Sequence, residues 1–218
     1  MKLEDNNISE MKPSSLGGAR GGKLIIINYG AGNIKSIQFA FKRLGVDAIL
    51  SNNPEEILAA DKIIFPGVGE ASSAMAMLKE TGLDTLIPKL KQPVLGICLG
   101  MQLLCEFTEE GNTKGLGIFK TQVKRFDNHV KVPQMGWNVI KDLKSELFNG
   151  IKENEYMYLV HSYYAEHCAE TIATTDYGLN YASALKHNNF YGVQFHPEKS
   201  SLAGEKILEN FLKLDIRS

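Results

Sequence analysis

The sequence predicts an α/β protein: an open, mostly parallel sheet flanked by helices, with an antiparallel extension in the C-terminal half. Three observations carry that reading. The N-terminal half repeats short apolar runs, Leu24-Ile25-Ile26-Ile27, Ile63-Ile64-Phe65 and Val94-Leu95-Gly96-Ile97. Runs without polar alternation suit strands buried on both faces, as in parallel sheets covered by helices. Amphipathic stretches alternate with these runs, which is the βαβ pattern. Beyond Gly115 the segments become short and alternating, as half-buried antiparallel strands do.

Taken in order, residues Met1 to Gly22 are polar and end in Gly17-Gly18-Ala19-Arg20-Gly21-Gly22. They have no apolar periodicity, so a flexible tail is expected over 1–22, ahead of one domain over 23–218. No hydrophobic centre follows the charged start, which argues against a signal peptide. Leu24 to Ile27 then runs as a buried strand into Tyr29-Gly30-Ala31-Gly32-Asn33. A helix follows with Ile34, Ile37, Phe41 and Leu44 on one face. Strand, Gly-x-Gly turn and helix invite a dinucleotide reading, but Lys35 occupies the place of the third glycine, so a tight structural turn is preferred.

Ala48 to Leu50 reads as a second strand, and Asn53-Pro54 opens a short helix through Leu58. Lys62 to Phe65 is a third strand, ending in Pro66-Gly67-Val68-Gly69-Glu70. The bare backbone there suits either a plain turn or a donor of N–H groups to an oxyanion. Ala74, Met77 and Leu78 mark the next helix.

The run Pro93 to Leu104 stops a buried strand at Gly96-Ile97-Cys98-Leu99-Gly100 and restarts as a helix. This is the spacing of the hydrolase nucleophile elbow, with cysteine in place of serine. Flanking glycines allow a strained backbone at the nucleophile and close packing of strand and helix around it. A thiol at a helix N-terminus is favoured as thiolate, and the Leu99 amide would face a developing oxyanion. Cys105 reads as packing two turns along the same helix, and Glu109-Glu110-Gly111 as an acidic loop.

In the C-terminal half, Gly117–Phe119, Gln122–Phe126 and Val130–Pro133 read as antiparallel strands. Trp137, the only tryptophan, is expected in a loop, either as a core plug or as a partner contact. Tyr156–Val160, Thr171–Thr175, Tyr181–Leu185 and Phe190–Phe195 read as strands. Ile207, Leu208, Phe211, Leu212 and Leu214 mark a closing helix.

Composition excludes several classes. The 218 residues carry a formal net charge of -1 with no basic stripe, which argues against nucleic acid. No apolar run approaches the ~20 residues of a membrane span. Three cysteines without short-spaced pairs imply neither a disulfide framework nor a metal site, and a reducing, cytoplasmic compartment is expected. No cofactor motif is present.

A cysteine nucleophile needs a base, and the base needs an orienting group. Of five histidines, His129, His167 and His187 sit among polar neighbours. His161 and His196 each end an aromatic strand. His196 is preferred because Glu198 can reach back across Pro197 to hold the ring. Read from residues alone, this is acyl transfer by a Cys98–His196–Glu198 hydrolase of unspecified substrate.

Together, Pro66-Gly67-Val68-Gly69, Gly96-Ile97-Cys98-Leu99-Gly100-Met101-Gln102 and Gln194-Phe195-His196-Pro197-Glu198-Lys199-Ser200 resemble the triad (class I) glutamine amidotransferases. The resemblance covers nearly the whole chain from Lys23. It implies glutamine as substrate, Cys98 as nucleophile, His196 as proton carrier and Glu198 as its orienter. It implies an oxyanion hole from Gly67, Val68 and Leu99, completed by a peptide flip in the Pro-Gly-Val-Gly segment when the partner is loaded. It also implies a substrate site at Gln102, Glu110, Ser162 and Tyr163, with His161 positioning the loop. Val132-Pro133-Gln134-Met135-Gly136-Trp137-Asn138 and Tyr29-Gly30-Ala31-Gly32-Asn33 look like the branch that passes ammonia to a separate (β/α)8-barrel cyclase subunit. On that resemblance Asn33, Met135, Trp137 and Lys199 face the cyclase in a heterodimer. Paralogues that supply ammonia for amidating surface-sugar precursors would carry the same triad. The first 22 residues, and Asn28 where an acidic residue is common, depart from the pattern.

Overall fold

The computed structural model describes residues 22–30 and 34–215. The expected tail through Gly21 and the interface candidate Asn33 lie outside them. In chain order the elements begin with β1 (Leu24–Ile27), α1 (Ile34–Arg43), β2 (Ile49–Ser51), α2 (Pro54–Leu58) and β3 (Lys62–Phe65). They continue with α3 (Ala71–Glu80), α4 (Leu83–Leu86), β4 (Val94–Ile97), α5 (Leu99–Leu104), β5 (Cys105–Thr108) and β6 (Thr113–Lys114). Then come β7 (Phe119–Arg125), β8 (Gln134–Ile140), β9 (Glu155–His161), β10 (Tyr163–Ala165), β11 (Thr171–Asp176), β12 (Asn180–His187), β13 (Phe190–Val193) and α6 (Ser201–Lys213).

Strands β2-β1-β3-β4-β13 lie side by side and all run parallel. From β13 the sheet continues through antiparallel β12 and β10 to β7, β5 and β6, with β11 also paired to β12. Strands β8 and β9 form a separate antiparallel pair, in register from Gln134 opposite His161 to Ile140 opposite Glu155. The all-apolar β1 run follows from two-sided burial. Leu24 and Ile26 pack with Ile37 and Phe41 of α1 and Ile207, Leu208 and Phe211 of α6. Ile25 and Ile27 point the other way, to Ile57, Ala74, Leu78 and Met101. A strand with a helix layer on each side leaves no position for a polar residue.

The parallel strands all end on one edge, and the loops that leave that edge build the site. Glycine lets them come close. A Cβ on Gly100 would sit 2.0 Å from the Phe65 carbonyl oxygen, and one on Gly67 would sit 2.4 Å from the Gly100 nitrogen. The ends of β3 and β4 therefore touch backbone to backbone.

Several sequence expectations are corrected. Cys105 does not continue the helix; it is extended (φ -71°, ψ 173°) and opens β5. The helix stops because the amides of Leu116, Gly117 and Ile118 take the carbonyls of Leu103, Cys105 and Leu104. The Cys105 thiol is buried all the same. Glu110–Asn112 is a short 3-10 turn rather than an open loop. Trp137 lies in β8, not in a loop: pairing with β9 overrides the Pro133 and Gly136 turn signals. Val130–Pro133 is loop, in keeping with a proline that cannot donate to a ladder. Strand β7 runs antiparallel to β10 but parallel to β5, because the chain reverses twice through β6. On α3 the buried set is Ala71, Ala74, Met75 and Leu78, the i, i+3, i+4, i+7 positions, so Met75 replaces Met77 in the stripe.

Gly100→Ala is expected to lower the free energy of unfolding in urea by about 3 kcal/mol, the overpacking cost where the neighbour is backbone and cannot move aside. An unfolding midpoint equal to wild type would show that β3 and the elbow do not meet in this way.

Candidate active site

Cys98 ends the buried run of β4 and precedes α5, and its backbone sits at φ 53°, ψ -113°. A side chain in that region costs about 1–3 kcal/mol. It is held because the Cys98 amide donates to Val193 O on β13 at 2.8 Å while its carbonyl accepts the first turn of α5 from Gln102. Gly96 behind it carries no side chain where Leu104 and the Met101 backbone press in. The sulfur faces a cleft of about 330 Å³.

The loop after β13 brings the other two members of the predicted triad. His196 donates its Nδ1–H to Glu198 Oε1 at 2.8 Å, and the two side chains are 5% and 2% exposed. The His196 amide donates to Tyr158 O on β9 at 2.9 Å, and Ser200 Oγ closes the turn on His196 O at 2.7 Å. Burial disfavours the charged ring. Hydrogen bonds to Cys98 and Glu198 and the negative charge they carry outweigh it, and the His196 pKa is pushed up to about 10. The imidazole is thus held in its protonated form beside the sulfur. Glu198 Oε2 is buried and has no hydrogen-bond partner among the described residues.

His161, the rival base in the sequence, is engaged elsewhere. Its Nδ1 lies 2.7 Å from Tyr163 O and its Nε2 lies 3.3 Å from the Tyr181 hydroxyl. Burial, against the bond to Tyr163 and with the nearby His196 charge, lowers its pKa to about 4. A neutral ring donating to a backbone carbonyl fixes the path of the loop from His161 to Tyr163 and leaves no nitrogen to serve Cys98.

The cleft is lined by Val68, Leu99, Gln102, Glu110, Ser162 and Tyr163, all expected at the site, together with His161 and Lys199. Gly67 does not line it; its α-carbon is wedged against the elbow. Glu110 Oε2 accepts the Ala71 amide at the start of α3 at 3.0 Å, and burial raises its pKa against that bond. Gln102 Nε2 donates to Tyr163 O and to Gln194 Oε1, both at 2.9 Å. Gln194 is wholly buried, and its Nε2 lies 3.7 Å from Cys98 Sγ. The sequence reading gave it no role. The signal was an amide side chain inside the apolar run Phe190–Phe195. Met135 and Trp137 stand outside the cleft, 65% and 52% exposed on β8. Lys199 links the two regions: it lines the cleft, and its Nζ lies 5.9 Å from the Tyr158 ring centre, which Trp137 meets edge-on.

Among the described residues no helix is long and apolar enough to cross a membrane, and no group of three or more His, Cys, Asp or Glu could hold a metal ion. Residues 25–214 match the family described as Glutamine amidotransferase class-I. A Bacteroides fragilis (strain YCH46) protein named imidazole glycerol phosphate synthase subunit HisH is 56% identical over 195 residues, 88% of this chain and 100% of that one. The protein of the same name from Haemophilus influenzae (strain 86-028NP) is 45% identical over 192 residues, 87% and 96% of the two chains. The structure of PurLQS from Thermotoga maritima superposes with a TM-score of 0.68 at 16% identity, covering 88% of this chain and 97% of that one. At that identity the likeness speaks for the fold alone.

The lowered His161 pKa makes a signed prediction. Between about 6.5 and 4 the unfolded chain takes up a proton that the folded protein refuses, so His161 costs stability as pH falls through that window. Urea unfolding from pH 7 to 4 should show a decline that is shallower in His161→Asn. An identical slope would mean that His161 is protonated in the fold.

Proposed function

The chain belongs to the class-I glutamine amidotransferase family, and from that premise we propose that it is the glutaminase subunit of an imidazole glycerol phosphate synthase, acting in histidine biosynthesis. The observation that carries the reading is the line of buried carboxylate, imidazole and thiol from Glu198 through His196 to Cys98 at the floor of a cleft. That arrangement suits thioester chemistry on a carboxamide. The Cys98 sulfur attacks the side-chain amide carbon of glutamine, and the carbonyl electrons move onto oxygen. The oxyanion is met by the Leu99 amide and by an amide of the Gly67-Val68 segment. His196 gives its proton to the departing nitrogen, the C–N bond breaks, and ammonia leaves a thioester on Cys98. His196 then takes a proton from water, whose oxygen attacks the thioester carbon and releases glutamate and the sulfur. Glu198 keeps the imidazole aligned through both steps.

The substrate's head group is assigned to Gln102, Glu110 and the backbone at Ser162 and Tyr163. Glu110 offers a carboxylate to an ammonium. Gln102, with both N–H groups already engaged, offers its carbonyl oxygen. Ammonia passes to a separate (β/α)8-barrel cyclase subunit. The exposed pair Met135 and Trp137, with Lys199 between them and the cleft, supports an interface on this face. Asn33, assigned to the same interface, lies outside the described residues. The sugar-pathway alternative is not favoured, since relatives at 56% and 45% identity carry the synthase subunit name. A reducing, cytoplasmic setting is proposed with it.

The test is to mix the protein with the cyclase subunit and its ribulosyl nucleotide substrate. Glutamate release should rise, and a flat response would end the reading. In that complex Cys98→Ala should abolish glutamine-dependent product while ammonia-dependent product persists; equal loss of both would mark Cys98 as structural. Trp137→Ala should weaken subunit binding by about 2 kcal/mol, roughly 30-fold in Kd, measured by titration calorimetry.

A further inference from the structure

We propose that Gln194 is a catalytic residue: its side-chain amide donates an N–H to the Cys98 sulfur and stabilises the anionic nucleophile, and its orientation is dictated through Gln102 by the Tyr163 backbone carbonyl. The proposal deepens the glutaminase reading and rests on it for the identity of the nucleophile.

A side-chain amide can usually turn over and exchange its oxygen for its nitrogen. Here it cannot. The Tyr163 carbonyl can only accept, so the group of Gln102 that faces it at 2.9 Å must be the NH2. The second hydrogen of that NH2 then points at Gln194, 2.9 Å away, and must meet an acceptor, which is Gln194 Oε1. That choice leaves the NH2 of Gln194 on the opposite side, 3.7 Å from Cys98 Sγ. Reversing Gln102 would set its oxygen against Tyr163 O, and reversing Gln194 alone would set its NH2 against the NH2 of Gln102, both in a buried place. Gln194 is 0% exposed and Gln102 is 4% exposed.

The position of Gln194 is fixed from the backbone as well. Its amide donates to Ser183 O on β12 at 2.9 Å, directly after β13 has paired Val193 with Ile97, the residue before Cys98. Sulfur and donor thus hang from adjacent strands. A hydrogen bond to an ionised sulfur is stronger than one to the neutral thiol, so the contact selects the thiolate. His196 loses its positive charge when its proton goes to the departing nitrogen. Gln194 cannot lose its N–H, and it meets the anionic sulfur before the attack and again when the thioester releases it.

The charged and titratable groups around the sulfur are His196 and Glu198 from the loop after β13, Tyr29 from the end of β1 and His161 from the end of β9. Glu110 and Lys199 stand across the cleft. All six remain in Gln194→Met, which keeps the length of the side chain and removes only its polar atoms.

The test follows alkylation by iodoacetamide on the Cys98 peptide, by mass spectrometry, across pH in the full chain. In Gln194→Met the midpoint of the profile should move up by about one pH unit, with the rate at pH 7 roughly tenfold lower. The kcat for glutamate release in the cyclase complex should fall in proportion and recover as pH rises. An unshifted profile in a folded Gln194→Met overturns the proposal, even where melting is lowered. Should that variant not fold, the wild-type chain supplies the second measurement. The Gln194 side-chain amide proton should move downfield as Cys98 ionises and should not titrate in Cys98→Ala; indifference to Cys98 overturns the proposal. Glutamate release intact with an unshifted profile ends only the role of Gln194. No glutamate release from the wild-type complex ends the glutaminase reading itself.

Discussion

Cys98 holds a backbone conformation that L residues avoid, and it does so because three strand ends meet around it without side chains between them. The φ of 53° and ψ of -113° cost about 1–3 kcal/mol. Burying a single isoleucine returns about as much, and β1, β3 and β4 bury several. The strain is therefore affordable energetically but demanding geometrically. Phe65 O packs on Gly100, Gly67 packs on the elbow backbone, and Val193 O takes the Cys98 amide. Any side chain inserted at Gly67 or Gly100 would push β3 away from β4, and the sulfur would lose its bend and its exposure to the cleft together.

The two halves of the sheet contribute differently to the site. The parallel half supplies the sulfur and the loops beside it, because its strands all end on one edge. The antiparallel half supplies the wall and its polar fittings: Tyr163 O for Gln102, Ser183 O for Gln194, and the His161–Tyr181 contact that fixes the loop between. The β8–β9 pair joins this wall to the outer surface. Tyr158 O takes the His196 amide, Ser200 Oγ takes the Tyr158 amide, and Val160 O lies 3.9 Å from Cys98 Sγ. Opposite Val160 and Tyr158 in register stand Met135 and Trp137. The exposed side chains of β8 thus stand on a strand paired to the one that touches both the imidazole loop and the sulfur.

Local order and local chemistry were legible in the residues. The apolar runs at Leu24, Ile63 and Val94 located three parallel strands, since a strand covered on both faces can carry nothing else. Gly-x-Cys-x-Gly located the elbow, since only glycines tolerate that packing. The two-residue spacing of His196 and Glu198 made their contact a local matter. Errors fell where pairing overrides local signals. Trp137 beside Pro133 and Gly136 looked like loop until β9 offered a full ladder. Cys105 looked helical until a returning segment took the helix-end carbonyls.

The sequence by itself determined which residues could be nucleophile, proton carrier and orienter, because those roles depend on side-chain chemistry and short spacing. Only the tertiary structure decided that His196, and not His161, stands at Cys98. Both end aromatic strands, and each Nδ1 meets a group two residues on, Glu198 for one and Tyr163 O for the other; the difference lies in the distant partner of the ring, Cys98 for His196 and Tyr181 of β12 for His161. It alone also brought Gln194 to the sulfur. An amide's orientation is set by acceptors far away in the chain, and no local pattern encodes them.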